Sequence, residues 1–233
     1  MATWVEAGTR FYKNLCSTII FSVRVASFDQ ESKMGKLVVE KLRFHVHGPF
    51  SFTINSCELV GLTGPSGVGK TLMLRALIDL DPHEGQIFVD DVECNNVSAP
   101  VWRKMVGMLP AETQWWHDKV GEHMNEPRMD VLERLGFDMD VLDWEVRRLS
   151  TGEKQRLGLV RLLCNSPEVL LLDEPTASLD ISNAEEVEKI ISEYSEERNV
   201  AVLWVTHDIE QLRRITRRYF LMKTEKELEE LNP

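Results

Sequence analysis

The stretch from Gly64 to Thr71 carries the residue types that bind a nucleotide phosphate. It fits the pattern G-x-x-x-x-G-K-[ST], follows the short apolar run 59–62 and precedes a predicted apolar-faced helix, 71–80. Glycines let the backbone curl around an anion with its N–H groups pointing inward. Lys70 would reach the phosphates, and the Thr71 hydroxyl would ligate Mg²⁺. We predict a nucleoside triphosphate site. Its predicted residues are Gly64, Pro65, Ser66, Gly67, Val68, Gly69, Lys70, Thr71 and Leu72.

Two adjacent carboxylates follow the apolar run 169–172, which is typical of a strand buried on both faces of a parallel sheet. They therefore lie at the carboxyl end of the strand, where α/β sheets bind ligands. Asp173 is placed to hold Mg²⁺, directly or through water, and Glu174 could polarise the attacking water as a general base. The alternative is a structural pair of capping residues before Pro175.

Two weaker signals could also contact phosphate. Ser150, Thr151, Gly152 and Glu153 open a predicted helix, and a helix N-terminus attracts anions. A simple helix cap explains the same residues. His207 follows the apolar run 200–205, and an imidazole at a strand end could sense a γ-phosphate. The alternative for His207 is an ordinary turn histidine.

Composition limits the class of protein. The chain has 233 residues, with 43% hydrophobic and 28% charged residues, which is typical of a soluble globular protein. Its net charge of −11 argues against a nucleic-acid partner and against adhesion to an anionic bilayer. No apolar run approaches the roughly 20 residues of a membrane helix, so we predict no direct membrane span. The widely spaced cysteines indicate a reducing compartment, with neither a disulfide scaffold nor a zinc site. They are Cys16, Cys57, Cys94 and Cys164.

The remaining pattern alternates strands and helices and predicts an α/β fold. Strands are predicted in 36–54, 86–89 and 200–205, and helices in 156–163, 184–194 and 208–218. Residues 112–148 are predicted to be helical in pieces. Four arginines late in the last helix are interpreted as a solvated face. They are Arg213, Arg214, Arg217 and Arg218.

Residues 1–33 carry little pattern and are predicted to be a poorly defined extension. Arg10 and Lys13 precede the apolar run 15–23, which faintly resembles a secretion signal; a loose extension is the alternative. Because a well-patterned strand begins just after Met34, this residue could start the folded domain, predicted as 34–233.

These motifs occur in the order and spacing of the ATP-binding cassette, or ABC, family, which the chain resembles over about residues 36–222. Residues 64–71 resemble its Walker A loop, 149–153 its signature motif, and 170–174 its Walker B strand with the catalytic glutamate. Ser178 to Asp180 resembles its D-loop, and His207 its switch histidine.

The resemblance implies a P-loop NTPase fold with a RecA-like core, a small antiparallel β subdomain and a short α-helical subdomain at about 112–158. It implies hydrolysis of ATP with Mg²⁺, with Glu174 and His207 as catalytic residues and Thr71 and Asp173 as metal ligands. It also implies a homodimer with two ATP molecules at its interface, each between the Walker A loop of one subunit and the signature motif of the other. With the signature residues, Asp180 is implied to be a nucleotide-binding residue.

The family resemblance further implies a separate membrane permease as partner and a cytoplasmic location, peripheral at the inner face of the cell membrane. The stretches GEKQR, LLLDEPTASLD and AVLWVTHD look most like the small bacterial FetA-type cassettes linked to metal, chiefly iron, export. Two alternatives remain open at this stage. They are a soluble ABC-type ATPase of repair or translation, and a slow ATP-dependent switch that binds a partner.

The chain departs from the family pattern in its signature, which has Thr151 and Glu153 where the family usually has LSGGQ, and at two further contacts. Ala111 occupies the position of the Q-loop glutamine, which in the family helps link Mg²⁺ to the membrane-facing surface; Glu112 or Gln114 could substitute for it. The aromatic residue that stacks on adenine should lie near Val46. His45 or His47 could stack on adenine instead. The two histidines could also bind a metal, but two histidines on an exposed strand face are more often solvated.

Trp115 and Trp116 follow the altered loop, in a region that borders the family's groove for a helix of the membrane subunit. We hypothesise that one of them anchors this partner, because tryptophan is enriched at binding hot spots. Core packing of the helical subdomain is the alternative. The short stretch from Ala111 to Leu149 leaves no room for the long coiled coil of chromosome-maintenance cassettes.

Overall fold

The computed structural model describes residues 35–232, so the predictions for residues 1–33 lie outside the described part of the chain. The strands are β1 (Leu37–Phe44), β2 (His47–Ile54), β3 (Leu59–Thr63), β4 (Glu84–Val89), β5 (Val92–Glu93), β6 (Val106–Leu109), β7 (Val169–Asp173), β8 (Ala201–Val205), β9 (Arg218–Thr224) and β10 (Glu227–Leu231). The α-helices are α1 (Lys70–Leu77), α2 (Ala99–Met105), α3 (Met129–Arg134), α4 (Thr151–Cys164), α5 (Ile181–Arg198) and α6 (Ile209–Ile215).

The larger sheet positions the chemistry. Its strand order is β10-β9-β3-β8-β7-β6, with β10 antiparallel to β9 and every other neighbouring pair parallel. Strands β7 and β8 are buried along their whole length, as expected where helices cover both faces of a sheet. Leu62 and Asp173 both pair with Val205, so β3, β7 and β8 end at the same edge. Three segments of the chain with candidate chemistry therefore leave the sheet side by side.

The smaller sheet is antiparallel in the order β2-β1-β4-β5. Its apolar residues share one core cluster with α1 and with the larger sheet, from Leu37 and Phe44 to Leu203 and Phe220. A second cluster lies beneath the segment after β6, where α3 is accompanied by short 3₁₀ helices. These are Val120–His123, Met139–Asp143 and Val146–Arg148. This architecture confirms the α/β class with an antiparallel β part and a short helical part.

Some predicted boundaries are wrong. Helix α1 ends at Leu77 instead of residue 80, since Asp79 turns the chain with a φ of 57°. The last helix ends at Ile215, and Arg218 begins β9 instead of facing solvent. Its side chain donates to Glu58 Oε1 at 2.6 Å and to Thr53 O at 2.6 Å. Arg218 therefore joins the two sheets.

Candidate functional site

The phosphate loop is closed by its own lysine. Lys70 Nζ donates to Gly64 O at 2.8 Å and to Pro65 O at 3.1 Å, and Lys70 is only 7% exposed. Burial lowers the pKa of Lys70, while Glu174 and Asp173 nearby oppose that shift. The ammonium group is thus held over the loop, close to the two predicted carboxylates.

His47 packs against the phosphate loop. Its ring stacks on Phe44 with centroids 4.8 Å apart and planes 7° from parallel, and its Nε2–H donates to Val68 O at 3.0 Å. A Cβ atom at Gly69, where φ is 109°, would lie 2.4 Å from His47 Nε2. The expectation of a solvated or adenine-stacking His47 is wrong, since the side chain is buried. His45 is instead exposed at the β1–β2 turn, with Nε2 3.9 Å from Asp81 Oδ2.

Replacing Gly69 by Ala is expected to destabilise the fold by about 1–3 kcal/mol, because the side chain would be strained at positive φ and would also strike His47. Urea unfolding of the nucleotide-free protein measures this loss. Gly67→Ala is the matched control, since φ is 78° there but a Cβ would meet nothing within 4 Å. Equal losses in the two variants would mean that the close approach of His47 does not matter.

The two carboxylates leave the end of β7 in different directions. Asp173 is 3% exposed, and its Oδ2 accepts a hydrogen bond from Thr71 Oγ1 at 2.8 Å. Glu174 has a φ of 49°, and its backbone N–H donates to Val205 O at 3.0 Å. Its Oε1 lies 3.2 Å from His207 Nε2. Burial raises the pKa of both Asp173 and Glu174.

These side chains surround one cleft of about 300 Å³. Its lining residues are Ser66, Gly67, Gly69, Lys70, Thr71, Leu72, Ala111, Asp173, Glu174 and His207. The cleft therefore unites the phosphate loop, the carboxylate pair and the predicted switch histidine. Glu112 and Gln114 are both described by the structure, and neither lines the cleft.

The signature residues lie apart from this cleft, at the start of α4. Ser150 Oγ accepts from the Glu153 N–H at 3.3 Å, and the Ser150 N–H donates to Glu153 Oε2 at 2.8 Å, which makes a reciprocal helix cap. Thr151 begins α4, and a Cβ at Gly152 would come 3.0 Å from Ser178 O. No observation tests the nucleotide contacts predicted for these residues, so they stay predictions.

Asp180 also caps a helix and does not line the cleft. It precedes α5, and its Oδ1 accepts from the Asn183 N–H at 2.9 Å. That backbone hydrogen bond is the first cause of its lowered pKa. No observation tests the nucleotide contact predicted for Asp180, which likewise stays a prediction.

The sequence of this chain is similar to those of known proteins. The sequence model of the family described as "ABC transporter" matches residues 48–177, more than half of the chain. The chain belongs to the ABC transporter family. The "Probable iron export ATP-binding protein FetA" of Escherichia coli (strain K12) is 33% identical over 175 residues, covering 70% of this chain and 78% of that protein. "ABC transporter I family member 17" of Arabidopsis thaliana is 33% identical over 170 residues, covering 67% of this chain and 65% of that protein.

A solved structure shares the fold of this cassette. The dimeric post-hydrolysis state of the ATP-binding cassette MJ0796, bound to ADP and Pi, aligns with a TM-score of 0.74 and 22% identity. The alignment covers 84% of this chain and 98% of that chain. The predicted ABC cassette fold is thereby confirmed.

Family membership also confirms the predicted function at the level of the class. This chain is an ABC-type ATPase, the ATP-binding cassette of a transport system, and ATP is its nucleotide. The similarity to FetA confirms the resemblance drawn from the sequence stretches. Among residues 35–232, no helix is long and apolar enough to cross a bilayer.

Proposed function

We propose that this cassette hydrolyses Mg–ATP as a homodimer and thereby drives a separate membrane permease. The observation that carries the proposal is the single cleft in which Lys70, Thr71, Asp173, Glu174 and His207 meet. Those groups supply a phosphate-binding cation, two oxygen ligands, a base and a hydrogen-bonding imidazole. Activity would be measured as phosphate release by the purified chain, alone and with its permease.

The donor set of the cleft fits Mg²⁺. The Thr71 hydroxyl and the Asp173 carboxylate lie 2.8 Å apart, and both offer the oxygen ligands that this cation prefers. Bound there, Mg²⁺ would neutralise charge on the phosphates. Asp173 would hold it from the rigid end of β7, and Thr71 from the first turn of α1.

Glu174 is proposed as the base that takes a proton from the attacking water. Its burial raises its pKa, so the carboxylate has a higher proton affinity than an exposed one. His207, 3.2 Å away, would orient Glu174 and contact the γ-phosphate. Lys70 and the inward-facing N–H groups of the loop would hold the phosphates in line for this attack.

The signature motif is proposed to complete the nucleotide site of a second copy of the chain. Ser150 and Gly152 lie at the positive end of α4 and outside the cleft of their own subunit. Two copies arranged head to tail would bring each helix end to the other's phosphates, and Asp180 would lie at the same interface. We place this dimer in the cytoplasm, peripheral at the inner face of the cell membrane.

Trp116 is proposed as the anchor for the permease. It is 68% exposed and borders a groove of about 350 Å³ that Arg161 and His123 also line. The Arg161 guanidinium lies over both tryptophan rings, 4.5 Å from Trp115 and 5.1 Å from Trp116. Trp115 is half-buried against the second core cluster, which suits packing instead.

His123 fixes the shape of this surface. Its Nε2 accepts hydrogen bonds from the N–H groups of Trp116 at 3.0 Å and His117 at 2.9 Å. Its Nδ1–H donates to Lys119 O at 3.1 Å. Burial lowers the pKa of His123, which favours the neutral ring that these three bonds require. The anchor would therefore be held ready before the permease binds.

Replacing Trp116 by Ala is expected to weaken permease binding about 30-fold, since a hot-spot tryptophan contributes about 2 kcal/mol. Binding of the purified cassette to its detergent-solubilised permease measures the loss. Because Trp116 is exposed, the Trp116→Ala variant should have nearly the same melting temperature as the wild type. Trp115→Ala should instead lower the melting temperature. Unchanged permease binding in Trp116→Ala would contradict the anchor.

Ala111 supports a second candidate function, a slow ATP-dependent switch that binds its partner and barely hydrolyses. The residue lines the cleft at the position where the family carries glutamine, and alanine offers no polar side-chain atom there. The two functions differ in one measurement. A transporter ATPase turns over ATP faster when its permease is present, whereas a slow switch keeps the same low turnover with and without it.

A further inference from the structure

Three side chains with metal-binding atoms meet beyond the end of α1. They are the carboxylate of Asp79, the imidazole of His83 and the thiol of Cys94, and each offers one ligand atom within 4.8 Å of the other two. None of the three lines the nucleotide cleft. The cluster therefore lies outside the cleft that holds Lys70, Asp173 and Glu174.

The backbone brings these residues together through two turns. Asp79 follows α1 with a φ of 57°, and His83 lies in the next turn, directly before β4. Strands β4 and β5 then pair antiparallel and return the chain to Cys94, the first residue of the 3₁₀ helix Cys94–Asn96. The spacing of these residues along the sequence does not predict a zinc site. They come together only because β4 and β5 pair and return the chain.

His83 has the arrangement of a metal-binding histidine. Its Nδ1 makes a long hydrogen bond of 3.4 Å to Asp81 O, where Nδ1–H is the donor. Nε2 then carries a lone pair, and it is buried without any hydrogen-bond partner. A buried polar atom without a partner is costly, and a cation at Nε2 would satisfy it. Metal-ligating histidines commonly hold their other ring nitrogen on a backbone carbonyl in this way.

The surrounding charges suit a divalent cation. The Cys94 thiol is buried, and the carboxylates of Asp79 and Glu93 lie near it. A cation that binds the Cys94 sulfur would release the thiol proton to solvent. Arg103 is the opposing charge, but its guanidinium donates to the carbonyls of Ile78 and Asp79. A thiolate and one carboxylate would then balance a 2+ charge.

We propose that Asp79, His83 and Cys94 bind a borderline-soft divalent cation of the zinc class, with water in the fourth position. A sulfur, nitrogen and oxygen donor set selects Zn²⁺ over Mg²⁺ or Ca²⁺, which take oxygen ligands. Tetrahedral zinc needs its ligand atoms about 3.3–3.7 Å apart, so small side-chain rotations would close the cluster. The cation would tie the end of the phosphate-binding helix to the antiparallel sheet.

Cobalt(II) titration of the full chain, without nucleotide and with excess Mg²⁺, tests the site. We expect one Co²⁺ per chain with a thiolate-to-cobalt charge-transfer band that zinc displaces. The band should be lost in Cys94→Ser and kept in the matched controls Cys57→Ser and Cys164→Ser, whose thiols lie outside the cluster. His83→Gln should weaken binding at least tenfold, whereas His45→Gln should not.

A second measurement keeps the test independent of how well the variants fold. Zinc should raise the melting temperature of the wild-type chain and leave that of Cys94→Ser unchanged. Circular dichroism shows whether each variant is folded. A wild-type chain with no thiolate band, or a band that persists in Cys94→Ser, overturns the proposal.

Discussion

Replacing Glu174 by Gln is expected to lower ATP turnover by about 10²–10⁴-fold and to leave ATP binding intact. The amide keeps the shape of the carboxylate but cannot accept the proton of the attacking water. The backbone of residue 174 is fixed by its hydrogen bond to Val205 O, so the variant side chain should stay beside His207. Phosphate release at saturating Mg–ATP measures the loss, and nucleotide titration measures the binding.

The same variant should accumulate an ATP-bound dimer, because hydrolysis no longer opens the interface. Size-exclusion chromatography with ATP would detect it as a species of doubled mass. Glu185→Gln is the matched control, since that carboxylate is exposed on α5 and does not line the cleft. Wild-type turnover in Glu174→Gln would exclude this residue as the base. A dimer that forms equally without nucleotide would refute the composite site.

The cleft could be predicted from sequence because its residues follow local patterns. Lys70 and Thr71 open a helix after a glycine-rich loop, and Asp173 and Glu174 end an apolar strand. Parallel strands end at a common edge, so the motifs on β3, β7 and β8 had to meet. Periodicity and strand direction suffice for such an inference, although neither gives a distance or a pKa.

The mispredicted residues depend on partners that are distant in sequence. Arg218 bonds Glu58, which is 160 positions away, and His47 becomes buried through Phe44 and Val68. No local pattern reports these contacts. The segment 139–149 has helical periodicity, but it forms 3₁₀ helices packed on the second core cluster. Tertiary contacts, and not helix propensity, thus determine the conformation of this segment.

Replacing Lys70 by Ala is expected to weaken ATP binding by about 10²-fold. Hydrogen bonds to charged groups contribute roughly 1.5–3 kcal/mol, and the upper value corresponds to a factor of this size. Lys70 also counters the charge of Asp173 and Glu174, so its loss should raise their pKa values further and reduce turnover. Titration with a fluorescent ATP analogue and Mg²⁺ measures the affinity.

One variant separates the charge of Lys70 from its geometry, and a second is the matched control. Lys70→Arg keeps the charge, but its longer, planar group does not fit the carbonyls of Gly64 and Pro65, so an intermediate affinity is expected. Lys104→Ala removes an exposed charge on α2 and should bind ATP like the wild type. Because a buried ammonium group carries a desolvation cost, Lys70→Ala should remain folded without nucleotide. Wild-type affinity in that folded variant would refute the phosphate role of Lys70.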